Sequence, residues 1–309
     1  MINNIVAVQG DDLQKINLKS DTSIFLAYEA QKKNYKIFYY QPKDLSVINN
    51  KVFAYGNFVK FNYIKKKFFK IIKKKKLELT KSKFILIRQD PPFNLEYIST
   101  TYILDSIKTK VKIVNNPSSI RNISEKLYSV YFSKFMPDTI FSQNIDYIKK
   151  FFLKNKKIIM KPIHGYGGNE IHLIEKKFNK TLVEKFIKKH GHVMFQKFLA
   201  NIKHGDKRVF LINGKICGAI SRVPKKGSFL SNMSKGAVPT LTKLTKKEIK
   251  ISKLIADKLK KNDIYFAGID FIDQKLNGDI NVTSPTGLKT YYDLSKINLA
   301  KVFWKGLKA

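Results

Sequence analysis

The chain has 309 residues, 43% hydrophobic and 13% aromatic, which excludes intrinsic disorder and allows one large core or two to three smaller ones. No apolar run approaches the roughly 20 residues of a membrane span, no basic region precedes a long apolar stretch at the N-terminus, and the lone Cys217 excludes an internal disulfide. The formal charge of +37 would draw phosphate polymers, but 56 lysines and only four arginines carry it, whereas nucleic-acid readers favour the arginine fork.

A cytoplasmic chain without membrane or specific nucleic-acid partners is therefore expected. Lys, Ile, Asn, Phe and Tyr are abundant together, which reads as drift toward AT-rich codons. A lysine-rich, non-catalytic nucleic-acid-binding protein remains a remote alternative, and it predicts steeply salt-dependent binding.

The first third alternates short apolar runs with helical periodicity, as a wound α/β sheet does. Strands are predicted at Ile5–Val8, Lys36–Tyr40, Phe84–Arg88 and Val111–Val114. Between the first two, Ser20 and Asp21 are caps for a helix whose apolar stripe includes Ile24, Ala27 and Ala30. The basic stretch Tyr63 to Leu79 places Ile64, Phe68, Ile71 and Ile72 at helical spacing. It predicts a surface helix with a lysine-covered outer face rather than one lying on a membrane. After the turn Asp90-Pro91-Pro92, Asn94 to Lys108 predicts a helix with Leu95, Ile98, Tyr102 and Leu104 facing inward.

Further along, Ser124-Glu125-Lys126 leads a helical run through Leu127, Val130 and Tyr131. Strands at Thr139–Ser142 and Lys157–Lys161, a glycine-rich break, a strand at Glu170–Ile174 and a helix at Lys180–Lys189 make a small α+β unit. The last third predicts strands at Val193–Lys197, Arg208–Ile212 and Ile216–Ser221 and a long polar loop from Val223 to Lys243. A helix from Thr245 to Lys261, strands at Phe266–Ile272 and Asp279–Val282, and a closing helix from Asp293 to Lys305 complete it.

Two motifs carry chemistry. In Met160-Lys161-Pro162-Ile-His-Gly165-Tyr-Gly167-Gly168-Asn169 a strand delivers a lysine, and the glycines that follow let the backbone approach an anion closely. The spacing matches neither a Walker loop nor a dinucleotide fingerprint. In Gly268-Ile-Asp270 and Gly278-Asp279-Ile-Asn281, alternation along a strand puts Asp279 and Asn281 on one face, and a neighbouring strand can bring Asp270 beside them. Two carboxylates and an amide oxygen suit Mg²⁺ shared with phosphates, with Mn²⁺ as a substitute. Taken singly, the glycine cluster reads equally well as a hairpin turn and the acidic residues as surface groups. The four arginines, Arg88, Arg121, Arg208 and Arg222, each lie in or beside a motif and are expected where only a guanidinium serves.

The order of Ser124-Glu125-Lys126, Met160-Lys161-Pro162, Phe195-Gln196-Lys-Phe-Leu199, Gly205-Asp-Lys-Arg208, Ser221-Arg222-Val-Pro, Gly268-Ile-Asp270 and Asp279-Ile-Asn281-Val-Thr-Ser-Pro-Thr286 resembles bacterial glutathione synthetase, of the ATP-grasp superfamily. Upstream, Ile16-Asn17-Leu18-Lys19-Ser20-Asp21, Glu29-Ala-Gln-Lys and Arg88-Gln-Asp-Pro-Pro-Phe93 resemble its N-terminal domain, so the likeness spans nearly the whole chain.

The resemblance implies an α/β fold: an N-terminal wound α/β pre-ATP-grasp domain over 1–120, then a two-lobed α+β ATP-grasp domain over 121–309. Within the latter, a lid lobe covers about 121–197 and a core lobe about 198–309. It implies that Lys126 and Lys161 contact ATP phosphates, that Gly165, Gly167 and Gly168 form the lid loop, and that Gln196, Lys197, Phe198 and Leu199 line the adenine. It implies that Asp270, Asp279 and Asn281 hold Mg²⁺, and that Arg208 and Arg222 face the transferred phosphoryl group. Arg88, Asn232, Ser284 and Thr286 are expected near the substrate. The implied reaction joins γ-glutamylcysteine and glycine at the expense of ATP, in a homo-oligomer.

Three departures stand out. Asp279 replaces the family's usual Glu, and Val8-Gln9-Gly10-Asp11 differs from its usual Met-Asp-Pro. In Phe229-Leu230-Ser-Asn232-Met-Ser-Lys235-Gly236, Leu230 stands where the family has an arginine and one glycine of a pair is missing, with Lys235 as the candidate replacement cation. A divergent carboxylate–amine ligase of the same fold, with another acid or amine, is the alternative this loop raises.

Overall fold

The computed structural model describes residues 4–17, 20–63 and 68–307. Ile64 and the pair Leu18-Lys19 lie outside the described residues. In chain order the elements are β1 (Ile5–Gln9), α1 (Thr22–Lys32), β2 (Lys36–Tyr40), β3 (Leu45–Ile48), β4 (Lys51–Phe61), β5 (Phe69–Glu78), β6 (Phe84–Ile87), α2 (Leu95–Asp105), β7 (Lys112–Val114) and α3 (Pro117–Asn122). A 3-10 segment, Leu127–Phe135, leads to β8 (Thr139–Ser142), α4 (Ile145–Asn155), β9 (Ile158–Pro162), β10 (His172–Ile174), α5 (Lys180–His190) and β11 (Val193–Lys197). The remainder is β12 (Asp206–Ile212), β13 (Lys215–Val223), β14 (Val238–Leu241), α6 (Lys246–Lys261), β15 (Phe266–Ile272), β16 (Lys275–Asn281), α7 (Leu288–Ser295) and α8 (Leu299–Gly306).

Three sheets organise the molecule. The first runs β3-β4-β2-β1-β6-β7 with β5 paired to β4; β2, β1, β6 and β7 are parallel and the added strands antiparallel. The parallel strands read as continuous apolar runs because helices cover them. The second sheet is β10-β9-β11-β8 and the third β14-β13-β12-β15-β16, both antiparallel. The α/β class with an N-terminal wound sheet and two α+β lobes is borne out.

Local chemistry explains several element ends. Asp21 caps α1 by accepting from the Ile24 amide, and Ile24, Ala27 and Ala30 are fully buried. Thr245 and Glu248 close a capping box at the start of α6.

Four expectations are corrected. The predicted helix over Tyr63 to Leu79 is replaced, from Phe69 to Glu78, by the edge strand β5, paired along β4. Lysines protect such an edge from pairing with another chain, and Lys74 and Lys76 lie over the rings of Tyr55 and Phe53 at 5.0 and 4.5 Å. On α2 the inner face is Tyr97, Thr100, Thr101 and Leu104, while Leu95 and Tyr102 are exposed. The run after Lys126 is a kinked 3-10 segment that buries Tyr128 and Phe132, leaving Leu127, Val130 and Tyr131 exposed. The closing helix is two helices, α7 and α8, separated at Lys296, whose φ is +62°. The polar loop also contains β14, and α4, with Ile148, Phe151 and Phe152 buried, was not anticipated.

The N-terminal sheet and the third sheet share one core. Val6, Ile24, Leu26 and Phe84 pack in the same cluster as Phe210, Ile220, Leu288 and Trp304, and the Trp304 indole donates to the Leu26 carbonyl at 2.8 Å. Asn115 adds polar ties, donating to the carbonyls of Phe266 and Val282 at 2.7 and 2.8 Å. The second sheet keeps a separate core, with Ile148, Ile158, Met160, Val183 and Phe195.

Candidate active site

The three sheets meet around a cavity of about 670 Å³, a size suited to a nucleotide with a small substrate. Its floor is the end of the third sheet. In β12, Asp206 and Arg208 are two residues apart and so share a face. The Arg208 guanidinium grips Asp270 of β15 through Nε at 2.8 Å and Nη2 at 2.7 Å. Arg222 of β13 grips Asp206 through Nε at 2.8 Å and through Nη2, which also lies 3.0 Å from Asp270. All four side chains are buried. Two buried cations against two buried anions form a balanced network, the condition for tolerating charge away from water. Burial pushes the Asp270 carboxyl up, but Arg208 and Arg222 outweigh it and hold the group well below the usual carboxylate range. Burial likewise lowers Arg222, and Asp206 and Asp270 more than reverse it, so the guanidinium is held above its ordinary value.

Two lysines reach the cavity from other elements. Lys161, at the end of β9, is buried and donates to Gln196 Oε1 at 3.3 Å, Asn277 O at 3.2 Å and Asn277 Oδ1 at 3.1 Å, with Asp279 at 3.8 Å. Burial pulls its pKa down, and Asp279 opposes that. Lys126 donates to the Gly165 carbonyl at 2.5 Å and lies 3.4 Å from Asp279. Glu125 beside it accepts from the amides of Val282 and Thr283 and from Thr283 Oγ1, which ties this segment to the end of β16.

The roof is two loops. Gly167 and Gly168 sit at φ +63° and +75°, the region glycine enters without penalty. A Cβ on Gly168 would lie 2.3 Å from Asn232 Oδ1, so the glycine loop and the 229–236 loop pack directly on each other. Ser231 Oγ donates to Asp206 at 2.7 Å and fastens the second loop to the floor. Leu230 and Lys235 of the same loop both line the cavity. Lys197, Phe198 and Leu199 line the far end with Ile159, Ile202 and Ile272, an apolar slot suited to a purine ring. Phe229 meets the Phe198 ring edge-on.

Every expected site residue lines this cavity except Arg88. Arg88 is buried behind the wall, donating to Ser23 Oγ at 3.1 Å and to the Pro285 carbonyl at 2.9 Å, and so joins the first sheet to the segment after β16. The residue that reaches the cavity there is Asp90, whose Oδ1 accepts from Ser284 Oγ at 2.6 Å. Thr286 is 3.5 Å from Arg208 Nη1. Among the four arginines, Arg121 is also away from the cavity; it pairs with Asp105 at 2.9 Å and covers the Tyr102 ring.

Asp270, Asp279 and Asn281 form an oxygen donor set. All three line the cavity and offer oxygen. Asn281 spends its Nδ2 on the Gly268 carbonyl at 3.1 Å, which leaves Oδ1 as its outward atom. Among the described residues, Asp270 Oδ1 accepts from Arg208 alone and keeps lone-pair capacity. Hard oxygen donors of this kind fit Mg²⁺.

Asp206, Ser231, Asn277, Glu125 and Asp90 were not singled out in the sequence. Asp206 carried a signal, being two residues before Arg208 on a predicted strand, whereas Asn277 carried none.

Residues 5–121 match the prokaryotic glutathione synthetase N-terminal domain, and residues 125–296 match the prokaryotic glutathione synthetase ATP-grasp domain. The glutathione synthetase of Rhodopseudomonas palustris is 35% identical over 307 residues, which cover 98% of each chain. Among solved structures, D-cycloserine synthetase DcsG superposes with a TM-score of 0.67 at 10% identity over 98% of each chain. The ATP-grasp ligase PsnB, in a complex with a phosphomimetic precursor variant, Mg and ADP, does so with 0.63 at 11% identity over 99% of each. The two structures show the fold. No helix among the described residues is long and apolar enough to cross a membrane.

Proposed function

The chain belongs to the prokaryotic glutathione synthetase family, and we infer from that membership and from the cavity that it is an ATP-dependent ligase joining γ-glutamylcysteine to glycine to form glutathione, ADP and phosphate. The observation that carries the residue-level reading is the convergence in one cavity of Lys126, Lys161, Arg208 and Arg222 with Asp270, Asp279 and Asn281, drawn from the second and third sheets and the segment ahead of β8.

Joining a carboxylate to an amine in water is uphill, so the acid is first made electrophilic. A carboxylate oxygen of γ-glutamylcysteine attacks the γ-phosphorus of ATP, the bond to the β-phosphate oxygen breaks, and ADP leaves. The amine nitrogen of glycine then attacks the acyl phosphate carbonyl carbon, and phosphate departs with the bonding pair and takes up the proton that the amine gives up.

Lys126 and Lys161 neutralise the phosphate oxygens, and Arg208 and Arg222 present fixed positive charge where the phosphoryl group moves. Asp270, Asp279 and Asn281 would hold Mg²⁺, or Mn²⁺ in its place; when bound, the metal supplies further charge neutralisation on the phosphates. The glycine loop and the 229–236 loop exclude water, which otherwise hydrolyses the acyl phosphate. The Lys197 to Leu199 slot takes the adenine, while Ser284 and Thr286 border the acid and Asn232 the closing loop. The division into a substrate-binding domain over 1–120 and a lidded ATP-grasp domain over 121–309 follows from this assignment.

Coupled ADP release by the purified protein tests the reading. Release is expected only when ATP, Mg²⁺, γ-glutamylcysteine and glycine are all present, with a product of the mass of glutathione. Release indifferent to glycine or to γ-glutamylcysteine would sink it. Release supported instead by another acid or amine would favour the divergent ligase raised by Leu230.

A further inference from the structure

Strands β15 and β16 are out of step at the metal-side end of the floor. Ile269 faces Ile280 and Phe271 faces Leu276, so the single residue Asp270 stands opposite three, Asn277, Gly278 and Asp279. Such a bulge kinks its strand and re-aims side chains. Gly278 makes it possible: its φ is +85°, and a Cβ there would lie 2.4 Å from Met194 Cε. Asn277 and Asp279, two residues apart on either side of it, both line the cavity.

What Asn277 does with that placement is hold Lys161. An ammonium has three protons, and the structure gives the Lys161 ammonium three acceptors within hydrogen-bond distance. Two belong to Asn277, its carbonyl oxygen at 3.2 Å and its Oδ1 at 3.1 Å. The third, Gln196 Oε1, is the longest at 3.3 Å, and the Gln196 amide is also tied to Thr139 Oγ1 at 3.0 Å. Two acceptors from one residue fix the rotation of the ammonium. The third N–H is then the one free to exchange Gln196 for a phosphate oxygen.

We propose that Asn277 is the positioning residue for Lys161, and that the Gly278 bulge delivers its two oxygens. The inference rests on the reading of Lys161 as a phosphate contact. It assigns Asn277 no contact with the reacting atoms.

The test measures ATP binding by calorimetry with Mg²⁺ and steady-state kinetics for the unsubstituted protein, Asn277→Ala, Asn277→Asp and Lys161→Met. Removing one charged hydrogen bond in Asn277→Ala is expected to raise the Kd and KM for ATP about tenfold or more. The KM for γ-glutamylcysteine stays unchanged and the unfolding midpoint moves by less than about 2 °C. Asn277→Asp keeps an oxygen at the same position and returns the ATP Kd to within about threefold of the starting value. Lys161→Met weakens ATP binding at least as much as Asn277→Ala.

If Asn277→Ala binds ATP normally while Lys161→Met does not, the positioning role is overturned and the phosphate-site reading stands. If Lys161→Met also binds ATP normally, that reading falls and the inference with it. If Asn277→Ala loses ATP affinity, dipeptide affinity and thermal stability together, Asn277 is a structural residue only, which equally overturns the proposal.

Discussion

Asp206, Arg208, Arg222 and Asp270 on the floor of the cavity are buried, and each guanidinium is matched to a carboxylate before any ligand arrives. The roof is built differently: Gly167, Gly168 and Gly236 take positive φ angles, Tyr166 is largely exposed, and the two loops rest on each other through Asn232 and Gly168. Ser231 bridges the two regions. Groups that must present charge at a fixed place are paired in advance, which spares reorganisation during reaction. The roof is held by contacts that can be remade, the kind of region from which lids are drawn. Floor substitutions are therefore expected to cost both stability and rate, and roof substitutions mainly rate.

The largest effect should come from breaking the floor. Asp206→Asn leaves Arg222 with Asp270 as its remaining anion, and loss of one partner of a buried pair is expected to destabilise the protein by about 3 kcal/mol. The value of kcat/KM should fall about a hundredfold, since about 3 kcal/mol of misplaced charge corresponds to that factor. Urea denaturation beside the coupled assay checks both, and unaltered stability would erase the distinction between floor and roof.

A smaller effect is expected from Gly168→Ala, which puts a Cβ into a φ of +75° and against Asn232. We expect kcat/KM to drop about tenfold through impaired closure, with stability lower by about 1 kcal/mol. A loss of stability matching that of Asp206→Asn would place the glycine loop with the floor instead. The smallest effect is Leu230→Arg, which restores a guanidinium to the roof. It is expected to lower the KM of the acid about fivefold, the low end for a partly solvated charged hydrogen bond, and to leave the urea midpoint unchanged. An unchanged KM would show that Lys235 already serves that position.

Part of the floor was legible because its residues sit on strands, where alternation specifies faces: Asp279 with Asn281, and Asp270 on the neighbouring strand. The same rule applied one step before Arg208 finds Asp206, whose importance lies in a carboxylate facing two guanidinium groups. Asn277 was hidden because a bulge breaks the alternation on which such reading depends. Arg88 was legible as a residue that needs a guanidinium, but not as one whose partners would be a serine hydroxyl and a carbonyl some 200 positions away in the chain. Periodicity misled at Tyr63 to Leu79, where Ile71 and Ile72, read at helical spacing, belong to an edge strand. There the pairing with β4, a tertiary choice, outweighed local pattern.

The shared core of the first and third sheets has a consequence for how the molecule can be handled. Because Val6 and Leu26 pack in one cluster with Phe210 and Trp304, severing the chain near residue 120 would leave two pieces, each with a wet apolar wound where the other had been. The units that resemble modules in sequence are not separable goods in solution; of the three sheets, the second is the one whose strands and helices gather most of their apolar side chains in a cluster of their own.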